Sequence, residues 1–260
     1  MILTLPPDLV PAVDSEVRKV TTLVSGRIVG AVLVAVALVA SAVTAILAGE
    51  QDPKGQPATG TATIGLYLSV IAVLVGVGVF AAATAGAEYR YQTMPITALF
   101  TPNRDRLVAA KLSVTACFAL GTALVVEVAA MVCLLAFGRG KFDFSLRLLA
   151  VLGGGLLTAI CWAVIGTALG LLLRSSTLAV AALLGWLVIV EPLLWAATYG
   201  AGSPGIATIL PGSATIGTVA VGSFSENRFL APTPAALVIL VLWTVALGGA
   251  AWLSVRRRDL

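Results

Sequence analysis

The chain has 260 residues and a mean hydropathy of +1.05; 59% of its residues are apolar and only 11% are charged. A water-soluble domain of this length needs far more charge to cover its surface, so the solvent for most of this surface is lipid. Sixteen bases against twelve acids leave a net charge of +4, but the clustered Lys/Arg and interleaved aromatics of a nucleic-acid binder are missing, and the excess is read as topology information.

There is no histidine, which removes the commonest metal ligand and the commonest acid–base catalyst. Cys117, Cys133 and Cys161 lie in apolar runs without Cys-x-x-Cys spacing and are expected to be small buried hydrophobes. No catalytic, cofactor-binding or metal-binding residue is expected on this chain.

The spacing of Val13, Val17, Val20 and Val24, with Asp14, Glu16, Arg18 and Lys19 between them, predicts an amphipathic helix within residues 1–26. Its acids precede its bases, as the helix dipole prefers, and it should lie along the inner membrane surface.

Six apolar runs follow, at about 27–48, 64–87, 112–137, 148–173, 177–198 and 234–255. Each is long enough for a helix to cross a hydrocarbon core, which takes roughly 20 residues. The first is too long, and lacks the basic start, for a cleaved signal peptide. With the N-terminus inside, the inner side carries Arg18, Lys19, Arg27, Arg90, Arg104, Arg106, Lys111, Arg174 and Arg256-Arg257-Arg258, while Lys54, Arg139, Lys141, Arg147 and Arg228 lie outside. This asymmetry predicts both termini in the cytoplasm, with 256–260 a short tail. The turn Arg174-Ser175-Ser176 is so tight that the fourth and fifth spans must be antiparallel neighbours.

Two connections are long, 88–111 inside and 199–233 outside, and function is expected in them. The inner one reads Glu88-Tyr89-Arg90-Tyr91-Gln92-Thr93-Met94-Pro95, then Thr101-Pro102-Asn103-Arg104-Asp105-Arg106, ending at Lys111. A short helix over about 96–100, bounded by Pro95 and Pro102, would present an apolar face (Ile96, Ala98, Leu99, Phe100) to a soluble partner.

The pattern Glu88-x-Arg90-x-x-Thr93, Pro102-x-Arg104, Lys111 resembles the first cytoplasmic loop of ABC-2 type transporter permeases. The resemblance extends over nearly the whole chain, with one departure, the proline in Met94-Pro95-Ile96-Thr97. It implies an all-α integral membrane fold with an interfacial first helix, a cytoplasmic coupling helix between the second and third spans, and short re-entrant helices between the fifth and sixth. It also implies an exporter, and the Ala/Val/Gly-rich composition points to a bacterial inner membrane. Two permease chains would form the pathway, and two ATP-binding subunits, holding ATP and Mg, would dock on Glu88, Arg90, Thr93, Pro102, Arg104 and Lys111. No Gly-x-x-x-x-Gly-Lys-Ser/Thr phosphate loop occurs in this sequence, so hydrolysis would belong to another chain.

The outer connection is broken by Gly200, Gly202, Pro204, Gly205, Pro211, Gly212, Gly217, Gly222 and Pro232, with apolar pieces too short to cross. It resembles the family's re-entrant helices, which makes Pro204, Pro211 and Gly212 candidates for an outer gate. Glu127 and Glu191 each lie about 15 residues past the inner end of a span and should sit at similar depth. Buried carboxylates there are expensive, so they are candidates for the pathway; a protonated carboxyl bonded to a neighbouring helix is the structural alternative. Pro192 should kink its helix. Gly166-x-x-x-Gly170, Gly153-Gly154-Gly155 and Gly248-Gly249 read as packing devices.

An ion- or proton-coupled transporter using Glu127 and Glu191 is the alternative, although the chain shows no internal repeat. An intramembrane enzyme lacks its nucleophile–base set, and a scaffold leaves the charged inner loop unexplained.

Overall fold

A computed structural model describes residues 9–49, 60–100, 103–142, 144–223 and 228–257. Among these, every regular element is helical: α1 (Leu9–Thr22), α2 (Val24–Leu47), α3 (Ile64–Arg90), α4 (Thr93–Phe100), α5 (Arg104–Phe137), α6 (Leu146–Leu173), α7 (Ser176–Gly185), α8 (Glu191–Gly200), α9 (Pro211–Ala220) and α10 (Thr233–Arg257). A five-residue π-helix, Trp186–Val190, joins α7 to α8, and short 3-10 helices lie at Thr61–Thr63 and Pro204–Ile209.

Six of these stretches, of 24 to 34 residues, are long and apolar enough to cross a membrane: α2, Thr61–Arg90, α5, α6, Ser176–Gly200 and α10. The chain is a multi-pass membrane protein by this measure. α5 begins eight residues before the apolar run at Leu112, because Asn103 supplies an N-cap. Its side chain accepts from the Asp105 and Arg106 amides (3.1 and 3.3 Å), and Asp105 adds a negative charge to the first turn.

α3 and α6 form the centre. In each, 56% of the apolar window is buried, against 22% for α2 and α10 and 17% for Ser176–Gly200, which ring them. Their contact depends on absent side chains. A methyl at Gly166 would run into the Gly78 carbonyl, and one at Gly170 would come 2.8 Å from the Ala82 carbonyl. A methyl at Gly86 would come 2.5 Å from the Ser176 amide, so the α6–α7 turn tucks against α3. The Ser176 hydroxyl donates to the Ala83 carbonyl at 2.8 Å in the same place. The other glycine pairs divide: Gly154 and Gly155 are crowded, while Gly153 and Gly249 have nothing within 4 Å.

Cys133 and Cys161 are buried as expected, but Cys117 is exposed. It shares the outward stripe of α5 with Leu120, Leu124 and Val128, where lipid accepts a thiol as readily as a core does. The helix expected between Pro95 and Pro102 starts earlier, at Thr93, with Pro95 inside its first turn, where the missing N–H has no intrahelical partner to lose. Pro102, Arg258 and the side chains of Ile96, Ala98, Leu99 and Phe100 lie outside the described residues.

Candidate functional site

α1, the end of α3 and the start of α5 meet at one end of the bundle, its base, around four charges. The Lys111 ammonium lies 2.6 Å from Glu88 Oε1 and 2.8 Å from Glu16 Oε2. The Lys19 ammonium lies 2.7 Å from Glu16 Oε1 and 3.0 Å from Glu88 Oε1. Glu16, Glu88 and Lys111 are buried, at 4%, 8% and 4% exposure. Two acids and two bases cancel, which makes the burial tolerable. Glu88 Oε2 remains buried without a hydrogen-bond partner.

Burial alone would raise the Glu16 carboxyl, but the Lys111 and Lys19 ammoniums outweigh it and hold the group below its ordinary 4.5. Burial likewise works against the Lys19 ammonium, yet Glu88 and Glu16 prevail and raise it above 10.5.

Sequence alone paired neither Glu16 nor Lys19 with this site. The signal was present in the spacing Ala12–Glu16–Lys19, a single face of α1. Ala12 and Glu16 are its buried positions, whereas on the apolar stripe Val17 is 40% exposed, Val13 and Val20 are half-buried, and Val24 already belongs to α2.

The expected docking residues separate into distinct roles. Glu88 and Lys111 are brought together, and the Thr93 hydroxyl donates to the Glu88 carbonyl at 3.3 Å. Between them Gln92 takes a left-handed φ of 53° and turns the chain into α4. Arg90 is exposed, its guanidinium 5.8 Å from the Tyr91 ring centre. Arg104 reaches the far end of the sequence, donating to the Val255 and Arg256 carbonyls (3.3 and 3.4 Å) at the terminus of α10. Beside it the Trp252 indole donates to Asp105 Oδ1 at 2.7 Å. The loop therefore grips four helices: α1, α3, α5 and α10.

The buried acids have different neighbours. Glu127 is 6% exposed, and its Oε1 has no hydrogen-bond partner. It fits only because Gly155 of α6 has no side chain, and Val70 of α3 lines the same spot. Glu191 is 1% exposed and accepts from the Gly212 and Ser213 amides at 3.0 and 2.6 Å. It thus caps the N-terminus of α9, where the chain leaves those donors unpaired. Pro211 and Gly212, gate candidates by sequence, belong to this contact; Pro204 opens the neighbouring 3-10 helix.

Further along, α9 is tied to α6 by the Trp162 indole donating to Thr215 Oγ1 (2.9 Å). It is tied to α10 by the Thr233 hydroxyl donating to the Gly217 carbonyl (3.1 Å). A cavity of about 220 Å³ separates α9 from the first half of α3. Ile64, Leu68 and Ile71 line one wall and Ile216 and Val219 the other, with no charged residue on either. Neither Glu127 nor Glu191 borders it.

The chain matches no family model, no curated protein and no solved structure.

Proposed function

We propose that this chain is the membrane-spanning permease subunit of an ATP-binding-cassette exporter of the ABC-2 type, in a bacterial inner membrane with both termini in the cytoplasm. Two permease chains form the pathway, and two separate ATP-binding subunits supply ATP hydrolysis. The observation that carries this reading is the junction at the base. A loop far longer than a linker needs to be carries its own helix, α4, and both its ends are locked by Glu88 and Lys111 to α1.

A push on α4 by a closing ATPase is transmitted through packed and charge-paired contacts to α3 and α5, and through Arg104 and Asp105 to α10. The exposed valines of α1 suit a helix lying in the membrane surface, with Ala12 and Glu16 turned to the bundle. The Pro204–Ile209 and Pro211–Ala220 helices serve as the re-entrant pair that closes the outer end. Transport then proceeds by alternating access.

The test is co-purification with an ATP-binding subunit. Thr97→Arg in α4 should abolish the complex and ATP-dependent transport while the chain still inserts. A complex and a transport rate unchanged by charges placed along α4 would remove the reading.

One observation favours a proton-coupled transporter instead, the buried Glu127 oxygen without a partner. Transport that survives ATP depletion but stops on collapse of the proton gradient, and on Glu127→Gln, would select it.

A further inference from the structure

Glu191 differs from an ordinary buried acid in what it holds. Its carboxylate takes two first-turn amides of α9, and α9 is otherwise almost wholly inside the protein, with Ile216 its one exposed residue. The site is built for this contact. A β-carbon on Gly212 would come 2.5 Å from Glu191 Oε2, so a larger residue there would displace the carboxylate. One turn further along α8, the Trp195 indole donates to the Ser213 hydroxyl at 2.8 Å. The same face of α8 therefore grips the first turn of α9 twice.

The segment just before this grip is irregular. Trp186–Val190 is wound as a π-helix, and Pro192 follows Glu191 without an N–H to donate. A π turn holds one residue more than an α turn, and such segments gather at functional sites. Rewinding it to α geometry shifts the register of α8 by one residue, a rotation of about 100°. That rotation carries Glu191 and Trp195 away from α9 together. The other polar attachments of α9 described above, Thr215 to Trp162 and Gly217 to Thr233, are single hydrogen bonds, so the grip from α8 is the larger polar hold on it.

We propose that Glu191 is the latch of an outer gate: it holds the N-terminus of α9, and winding of the π turn at Trp186–Val190 releases α9 from α8 and lets it move away from α3. The space so widened is the cavity between Ile64, Leu68 and Ile71 of α3 and Ile216 and Val219 of α9. Its walls carry no charge, and the Thr215 hydroxyl on its rim is already spent on the Pro211 carbonyl and the Trp162 indole. The cargo it admits is uncharged and apolar. Glu191 is a positioning residue here and does not touch the cargo. The gate's role in transport rests on the exporter reading; the latch itself does not.

The experiment uses the purified full chain in lipid nanodiscs, with Cys117, Cys133 and Cys161 replaced by alanine and nitroxide labels at Leu68 and Ile216. The parent should give one narrow distance by pulsed electron paramagnetic resonance. Glu191→Ala should add a population longer by about one helical turn, ~5 Å. Gly212→Ala should do the same with the carboxylate still present but displaced. Glu191→Gln, which keeps an oxygen acceptor, should largely restore the parent distance. An unchanged distance in Gly212→Ala, which is mild enough to fold, together with no added population in Glu191→Ala, overturns the latch. No ATPase is present, so its failure is separable from that of the exporter reading. Distances that lengthen in a chain transporting without ATP keep the latch and remove the exporter.

Discussion

Lys111 Nζ and Glu88 Oε1 lie 2.6 Å apart although 23 residues separate them, and they clasp the two ends of the one long loop at the base of the bundle. Lys111 also holds Glu16, 95 residues away. Removing this ammonium leaves two buried carboxylates sharing Lys19 alone. Breaking a buried pair from one side costs about 3–5 kcal/mol, and the surviving Lys19 places Lys111→Met near the lower end, about 3 kcal/mol. Lys111→Met combined with Glu88→Leu and Glu16→Leu should recover most of that loss. Thermal unfolding in detergent measures both, and equal destabilisation by the single and triple variants would contradict the pairing.

The same cluster makes the docking of α1 depend on pH at both extremes. The folded-state Glu16 carboxyl is lowered from 4.5, so its contribution is full above that value and is lost as pH falls through the lower folded value. The Lys19 ammonium is raised from 10.5, so its contribution is full below that value and is lost as pH rises beyond it. A nitroxide at Thr22 should be immobile across the neutral range and gain mobility only below pH 4.5 or above 10.5. Mobility that changes near pH 7 would show that other groups hold α1.

At the other end of the sequence, Asp105 and Arg104 hold α10. Trp252→Phe loses the bond to Asp105, whose side chain is 43% exposed, so the cost is about 1 kcal/mol after discounting for solvent. Arg104→Ala should fray the last turn of α10 and speed tryptic cleavage at Arg256 and Arg257. This contact also means that Arg104→Glu disturbs α10 whether or not a partner docks nearby. Thr97, which bonds only within α4 among the described residues, is the cleaner probe of docking.

Glycine substitutions should divide by position. Gly166→Ala forces α6 from the Gly78 carbonyl, and Gly86→Ala forces α3 from Ser176; overpacking of this kind costs about 1–3 kcal/mol. Gly153→Ala and Gly249→Ala meet nothing within 4 Å and should be neutral or gain up to ~1 kcal/mol from helix propensity. Unfolding midpoints of the four variants decide the matter, and equal losses at all four would contradict the packing.

The spans were legible because an apolar run of that length has no other stable form in lipid. Their ends were less so. The start of α5 lies in the polar stretch before Leu112, where only the Asn103 cap marks it. Pro192 announced a disturbance in its helix, but not that the preceding five residues would wind as a π turn. Partners were hidden for a different reason. Glu16 with Lys111, Glu191 with Gly212 and Arg104 with Val255 are separated by 95, 21 and 151 residues, and hydropathy carries no record of which helices become neighbours. The valines of α1 did not show which face meets the protein, because burial there follows a charge cluster.

The most direct measurement places a photo-crosslinking amino acid at Thr97 in α4 and identifies what it captures in native membranes that contain this chain. The account predicts an adduct with a polypeptide that carries the Gly-x-x-x-x-Gly-Lys-Ser/Thr phosphate loop and hydrolyses ATP. Adducts confined to lipid or to this chain itself, with transport undiminished, would contradict it.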